Sequence, residues 1–384
     1  MMRGLPFEYA VRNLGRNPAR LAMTAGGSML VVLLVVAAAS FVTGMRRSLQ
    51  VSGSPHNAIL LGAGSEESVE RSEIAMRTSG IAAAGIPGVA QVAGADAVSP
   101  EIHAALPVRV GDRIATNTVV RGTTPEAFLV HREARLVEGR LPDVGADEVL
   151  AGRLAARNLG LDRPGASIGI DDREFVVVGI LEADGGVIEG ELWMPLSDLL
   201  IVTQRDTLSC VVLRRDETSM VAVDGFAATR LDLELSAIRE DEYFAGLSDF
   251  FRPVRLMVIA TAVLIAAGGV VGGLNTTYAA FASRIREIGT LRTLGYSRIA
   301  IVRTLVEESV LMASIGGLLA AVVARLLLDG LTIRFSMGAF GLSVGAAEIA
   351  LGLAAGLVLG IAGALVPAIR CLRQSIPESL RAAT

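Results

Sequence analysis

The 384-residue sequence contains no lysine; all 35 of its basic residues are arginine. That absence removes one function class at once. A Walker A phosphate loop needs its lysine to reach the β- and γ-phosphates, so these residues do not form an ordinary P-loop ATPase. Cysteine is nearly absent too, with only Cys210 and Cys371, and no Cys/His spacing suggests zinc. Cys210 falls in a polar stretch and Cys371 after the last apolar run. The two are expected on opposite sides of a membrane, with no disulfide between them. Histidine is limited to His56, His103 and His131, scattered along the chain. Each reads as a lone surface or core residue rather than a ligand. "GASIG" (Gly165–Gly169) matches G-x-S-x-G around Ser167. A strand-like hairpin follows it where a nucleophile elbow needs a helix, so it reads as a turn.

What the chain does have is apolar length. It is 52% hydrophobic, with a mean hydropathy of +0.54. Charge is unevenly spread. Met45–Pro253 holds 20 Arg against 32 acids, a net of −12, and the remainder holds 15 Arg against 7 acids, a net of +8. An acidic polar domain is thus inserted into a basic, membrane-type protein.

Four apolar runs stand out: Leu21–Met45, Leu256–Ser283, Ser309–Ala324 extended by Leu326–Leu328, and Ile349–Ile369. A helix crosses the hydrocarbon core with about 20 residues. The third run reaches that length if Arg325 snorkels to the interface beside Asp329. The first is too long for a signal-peptide core and reads as an uncleaved span. Arginine marks the cytoplasmic side: Arg3, Arg12, Arg16 and Arg20 before the first span, five arginines between the second and third, and Arg370, Arg373 and Arg381 after the fourth. Arg46 and Arg47 sit against this trend. Few charges fall inside the spans, and those near their ends are Glu307, Glu308, Arg325, Asp329 and Glu348. That argues against an ion-coupled transporter.

The expected fold is an α-helical membrane domain of four transmembrane helices in a 1+3 layout, with an α+β extracytoplasmic domain inserted between helices 1 and 2. Its parts are a cytoplasmic amphipathic helix (1–20, carried by Phe7, Val11 and Leu14), a first span (21–45), the extracytoplasmic domain (46–253) and a second span (254–283). A cytoplasmic helix and turn (284–298), a third span (299–328), an outer loop (329–347), a fourth span (348–369) and a cytoplasmic tail (370–384) complete it. Within the inserted domain, "HAALPVRV", "TNTVVRG" and "SCVVLRR" read as strands. Ser167–Leu181 reads as a hairpin turning at Asp171-Asp172, Leu150–Gly160 as a helix stopped by its glycine, and Glu66–Ala84 as helical in composition. Arg239–Arg252 reads as a charged stalk leading to the second span.

Two features of the membrane part suggest roles. Gly268/Gly272, Gly269/Gly273 and Gly352/Gly356/Gly360 stand at i, i+4 spacing, which lets helix backbones approach within the subunit or across a dimer. Between the second and third spans, Ile285, Ile288, Leu291 and Leu294 form an apolar stripe on a short basic helix. Arg284, Arg286, Glu287 and Arg292 lie off the stripe, and Gly295 can stop the helix. This is either a surface helix obeying the positive-inside rule or a docking helix for a cytoplasmic partner.

The string "SRIREIGTLRTLGYSRIAIVRTLVEESVL" is similar to the signature of FtsX/MacB-type ABC permeases. It matches at Arg284, Arg286, Glu287, Ile288, Gly289, Leu291, Arg292, Leu294, Gly295 and Ser297, then Glu307 or Glu308. "VPAIRCLRQSIPESLR" (Val366–Arg381) resembles that family's ending and "YAVRNLGRNPARLAMT" its start. "DEVLAGRLAARNLGL" and "REFVVVGILEADGGVIEGELWMPLSDL" resemble its extracytoplasmic core domain. The resemblance implies a non-catalytic permease subunit of a bacterial cytoplasmic-membrane transporter, with both termini cytoplasmic and no cofactor on this chain. ATP and magnesium would sit on a separate cytoplasmic ATPase subunit, docked on a coupling helix formed by Arg284, Ile285, Arg286, Glu287, Ile288, Leu291, Arg292, Leu294 and Gly295. The expected partners are that ATPase, a second permease copy or a paralogue, membrane lipid and a periplasmic adaptor, with no role for nucleic acid. The implied mechanism is mechanotransmission, in which ATP-driven motion reaches the outer domain to export or extract an amphipathic substrate. The alternative is FtsX-like signalling to an extracytoplasmic partner such as a cell-wall hydrolase.

Overall fold

A computed structural model of the chain describes residues 18–111, 116–161, 163–216, 219–335 and 338–373, together with Val11. Most of the expected N-terminal amphipathic helix, and the tail motif around Pro377 and Arg381, lie outside the described residues. The chain divides into two compact units. One comprises residues 1–43, 253–331 and 343–384. The other comprises residues 44–252 and 332–342.

The first unit is helical. Pro18–Ser52, Arg252–Ala282, Arg298–Leu327 and Ala346–Leu372 are each long and apolar enough to cross a membrane. The first helix, at 35 residues, outruns its apolar stretch and carries Arg46 and Arg47 in its last turns. Small residues set the packing. A Cβ at Gly352 would strike Val36, one at Gly356 would meet Val32 at 2.8 Å, and one at Gly360 would meet Ala313 at 3.0 Å. The last helix therefore uses glycines to approach both the first and the third. Gly269 faces Val31 and Gly273 faces Gly363, whereas Gly268 and Gly272 meet nothing within 4 Å among the described residues. Of these two neighbouring pairs, one packs inside the unit and the other lies on its surface. The tightest approach falls at Gly316, which has no glycine four residues away; a Cβ there would strike the Ala25 carbonyl oxygen. Arg325 Nε lies 3.9 Å from Asp329, and both side chains also bond the Val344 backbone.

The second unit is the expected α+β domain, hereafter the α/β unit, built around a mainly antiparallel ten-stranded sheet. In chain order its strands are β1 (Asn57–Gly62), β2 (Val98–Arg109), β3 (Thr116–Thr123), β4 (Arg135–Gly139), β5 (Glu148–Gly152), β6 (Ser167–Ile170), β7 (Arg173–Glu182), β8 (Leu192–Pro195), β9 (Cys210–Arg214) and β10 (Leu235–Arg239). The main path runs β10-β1-β9-β2-β3-β8-β5-β7-β4. β6 pairs with both β7 and β2, so β2, β3, β8, β5, β7 and β6 close into a ring. The twelve-residue β2 makes this possible. Its start pairs with β9 and its end with β6. Alternation then sorts the side chains. Ile102, Val120, Leu192 and Met194 belong to the main apolar core, while Glu101, His103, Arg121, Glu191 and Trp193 take the opposite face.

Several local expectations shift. The helix expected over Leu150–Gly160 is Arg153–Leu159, because Glu148–Gly152 is drawn into the sheet; Gly160 ends it at φ 71°. Glu66–Ala84 is not one helix. Val69–Arg71 is a 3-10 turn, Ile74–Ala75 a short strand and only Thr78–Gly85 helical. The Ser72 hydroxyl accepts from Gly62 N at 2.9 Å and the Ile74–Ala75 strand pairs with Thr207–Leu208, contacts that a helix would forgo. β6 and β7 form the expected hairpin through Asp171-Asp172. Ser167 opens a strand, so no nucleophile elbow forms there. The loop near residue 335 contributes a hairpin, Thr332–Phe335 with Gly338–Gly341, that belongs to the α/β unit and lies against Gly190 and Leu154.

Candidate functional site

Between the second and third long helices stands the nine-residue helix Ile285–Thr293. A helix this short is marginal alone and depends on what it packs against. Ile288 is 4% exposed and joins Phe281, Ile301, Leu305, Ala364 and Ala368 in one apolar cluster, with Leu291 and Tyr296 against it. Arg284 Nε reaches Glu287 at 2.8 Å, and its Nη1 reaches Glu308, on the third long helix, at 3.0 Å. Glu308 is 1% exposed. Glu307 instead pairs with Arg303 one turn away. Of the two glutamates, Glu308 is therefore the one that ties the loop helix down.

The apolar stripe expected as a partner contact is thus largely turned inward. Ile288 and Gly289 are buried, and Ile285, Leu291 and Arg292 are half-buried. What faces outward is Arg286, Thr290, Leu294 at 64% exposure, Gly295 at φ 90°, and Ile299 at 75%. Sequence periodicity identified an amphipathic helix, but its apolar side serves the chain's own core.

The α/β unit holds a second, unexpected constellation. His103 and His131 are not the unrelated residues that their sequence separation suggested. His103 Nε2 lies 3.0 Å and His131 Nε2 2.7 Å from the fully buried Glu101. Arg121 reaches Glu101 at 2.8 Å and grips Glu191 with two bonds of 2.8 Å. The Trp193 indole donates to Glu191 at 2.9 Å. Beyond His131 lies Glu240, which accepts from Ser54 N at 3.0 Å and Asn57 Nδ2 at 2.9 Å. This carboxylate staples the chain leaving the first long helix to the short helix Glu240–Phe250, which precedes the second. A trace of the cluster was visible in sequence: "EIH", "VVRG" and "GELW" each set charge beside strand-forming apolar residues. Its convergence was not.

Glu101, His103 and Cys210 also bring ligand atoms within 4.8 Å of one another. Arg121 already occupies the Glu101 carboxylate that a cation would need. Burial pushes the Cys210 thiol well above its ordinary pKa, which disfavours the thiolate form a metal takes. The arrangement is that of a structural ion cluster.

The cluster makes stability depend on pH. Burial, ahead of His131's attraction and Glu133's repulsion, raises the Glu240 carboxyl to about 7. Such a group holds its proton more tightly when folded, so its ionisation costs stability as pH rises from 4.5 through about 7. Burial would lower His131, but Glu101 and its other partners outweigh that and raise it to about 10. Its contribution is full below 6.5 and lost as pH climbs through about 10. Glu101 and Glu191 act oppositely. Burial works against their charge, Arg121 overrides it, and both are held low, so acid removes their contribution. Melting temperature should peak at about pH 5 and decline on the alkaline side. Glu240→Gln should flatten the decline up to pH 7, and a wild-type profile flat from about pH 5 to pH 9 would contradict this.

The MacB-like periplasmic core domain family matches residues 21–225, and the FtsX-like permease C-terminal family matches residues 259–376. The chain is similar to the macrolide export ATP-binding/permease protein MacB of Nitrobacter winogradskyi, at 28% identity over 96% of this chain and 58% of that protein. It is similar to the MacB of Shewanella oneidensis at 25% identity, over 74% of this chain and 46% of that one. The chain spans about half the length of the curated relatives it matches. Among solved structures, the periplasmic region of MacB from Actinobacillus actinomycetemcomitans aligns with 52% of this chain and 94% of its own, at 14% identity and a TM-score of 0.40.

Proposed function

The chain belongs to the FtsX/MacB-type family of ABC-transporter permeases, and from that premise we propose that it is a membrane subunit driven by an ATPase that these 384 residues do not contain. The absence of lysine supports this, since no Walker A lysine can come from this sequence. The four long apolar helices cross the bacterial cytoplasmic membrane in a 1+3 layout, with the termini and the helix Ile285–Thr293 on the cytoplasmic side. The acidic α/β unit lies outside. ATP and magnesium are held by the partner. The subunit works with a second permease copy, and its motion serves export or extraction of an amphipathic substrate.

One observation carries the reading: the loop helix is pinned from within by Ile288, Arg284 and Glu308, yet presents Arg286 and Thr290 outward, and Leu294, which follows it, and Ile299, on the third long helix, are exposed too. A pinned helix can transmit force, and an exposed basic-apolar corner can receive a partner. The Glu240 staple supports the second half of the mechanism, because it joins the roots of two helices that would have to move together.

The experiment is co-purification of the ATPase with the detergent-solubilised chain. Leu294→Asp should abolish retention of the ATPase without lowering the melting temperature, since Leu294 is 64% exposed. Leu291→Asp is a poorer probe, because Leu291 packs on the internal cluster. If the wild-type chain retains no ATPase, the reading fails. Retention of a hydrolase instead of amphipathic cargo would move it to the signalling alternative.

A further inference from the structure

A pocket of about 320 Å³ opens in the α/β unit and shares one wall with the ion cluster. That wall is Trp193. Its N–H is engaged by Glu191, and its ring also lines the pocket beside Phe128, Leu150 and Met194. Among the described residues, no charged side chain lines the pocket, although it lies in a stretch with a net charge of −12. Apolar lining of this volume, with few polar groups, is the usual make-up of a small-molecule site.

The mouth is preorganised. The loop of residues 140–148 is held by its polar groups: Arg140 pairs with Glu148, Asp143 N donates to Glu148 at 3.0 Å, and Gly145 N donates to the buried Asp198 at 3.0 Å. Its apolar side chains are left uncovered. Val144 is 74% and Leu141 42% exposed, with Met76 at 38% beside them on the pocket lining. Covering such side chains returns about 25 cal/mol per Å² of apolar surface removed from water. At the wall, Thr124 Oγ1 is buried and has no hydrogen-bond partner among the described residues. A buried hydroxyl left unpaired is costly unless something supplies its bond.

We propose that this pocket binds an uncharged amphiphile, its apolar chain against Trp193, Phe128 and Leu150 and its polar head hydrogen-bonded to Thr124 Oγ1. The proposal deepens the permease reading by naming a ligand class. Its test uses neither ATP nor a partner, so either can fail without the other.

Trp193 is the chain's single tryptophan, and it is 1% exposed. Bromine quenches indole fluorescence on contact, so decanol brominated at its terminal carbon reports directly on the pocket. With the full chain in lipid nanodiscs, the expected result is saturable quenching displaced by unbrominated decanol. Val144→Asp puts a charge at the mouth on an exposed residue. It should weaken binding by at least about tenfold while leaving the melting curve unchanged. Thr124→Val should weaken it by about threefold to tenfold. Decyl sulfate should displace the probe no better than decanol, because the walls hold no cation. Quenching that never saturates, or that is equal in wild type and Val144→Asp, would overturn the proposal.

Discussion

Arg121→Met should lower the stability of the α/β unit by about 3–5 kcal/mol, the usual cost of removing one partner from a buried ion pair. For a unit of this size that is a fall in melting temperature on the order of 10 °C. The cost comes less from the lost attraction than from what remains. Glu191, 1% exposed, would lose the cation it pairs with, and Glu101, 0% exposed, would be left with its two histidines alone. Acid should partly rescue the variant, because protonating either carboxyl removes the uncompensated charge. Arg121→Lys should fall between the two. It keeps the charge but not the two-pronged grip on Glu191. Chemical denaturation followed by Trp193 fluorescence measures all three. A loss below about 0.5 kcal/mol for Arg121→Met would show that the cluster does not hold the unit together.

Glu308→Gln should release the loop helix without unfolding the rest of the helical unit. Arg284 keeps Glu287 on its own helix but loses the partner that anchors it to the third long helix. A charge-assisted bond of this kind contributes about 2 kcal/mol, which corresponds to about thirtyfold faster amide exchange across Ile285–Thr293 if exchange follows local opening. If the proposed ATPase docks on this helix, its stimulation by the chain should fall with it. Glu287→Gln is the control. Glu287 is more exposed than Glu308, its side chain 33% against 2% accessible, so its loss should cost well under 1 kcal/mol. Equal exchange in the two variants would show that the buried pair is not the anchor.

The loop helix separates what periodicity dictates from what packing decides. The spacing of Ile285, Ile288, Leu291 and Leu294 requires an amphipathic helix, because side chains three and four apart share a face. It cannot say which partner covers that face. Phe281, Ile301, Ala364 and Ala368 come from three other helices and cover Ile288 from within the chain. The glycines divide in the same way. Gly268 and Gly269 are adjacent in equivalent motifs, yet one meets open space and the other Val31. Helix rotation decides that, and composition does not encode rotation.

Sequence alone determined the four apolar helices, the acidic stretch between the first two apolar runs, the loop helix and the impossibility of a Walker A lysine. Each follows from local periodicity, run length or the presence of a residue type. Tertiary structure alone decided that His103, Arg121 and His131 meet at Glu101, with Glu191 on Arg121 and Glu240 beyond His131. It also decided that Glu308 rather than Glu307 secures the loop, and that Trp193 divides an ion cluster from an apolar pocket. These are contacts between residues far apart in sequence. They are selected by strand order and helix packing, which balance the burial of the whole chain rather than of any one segment.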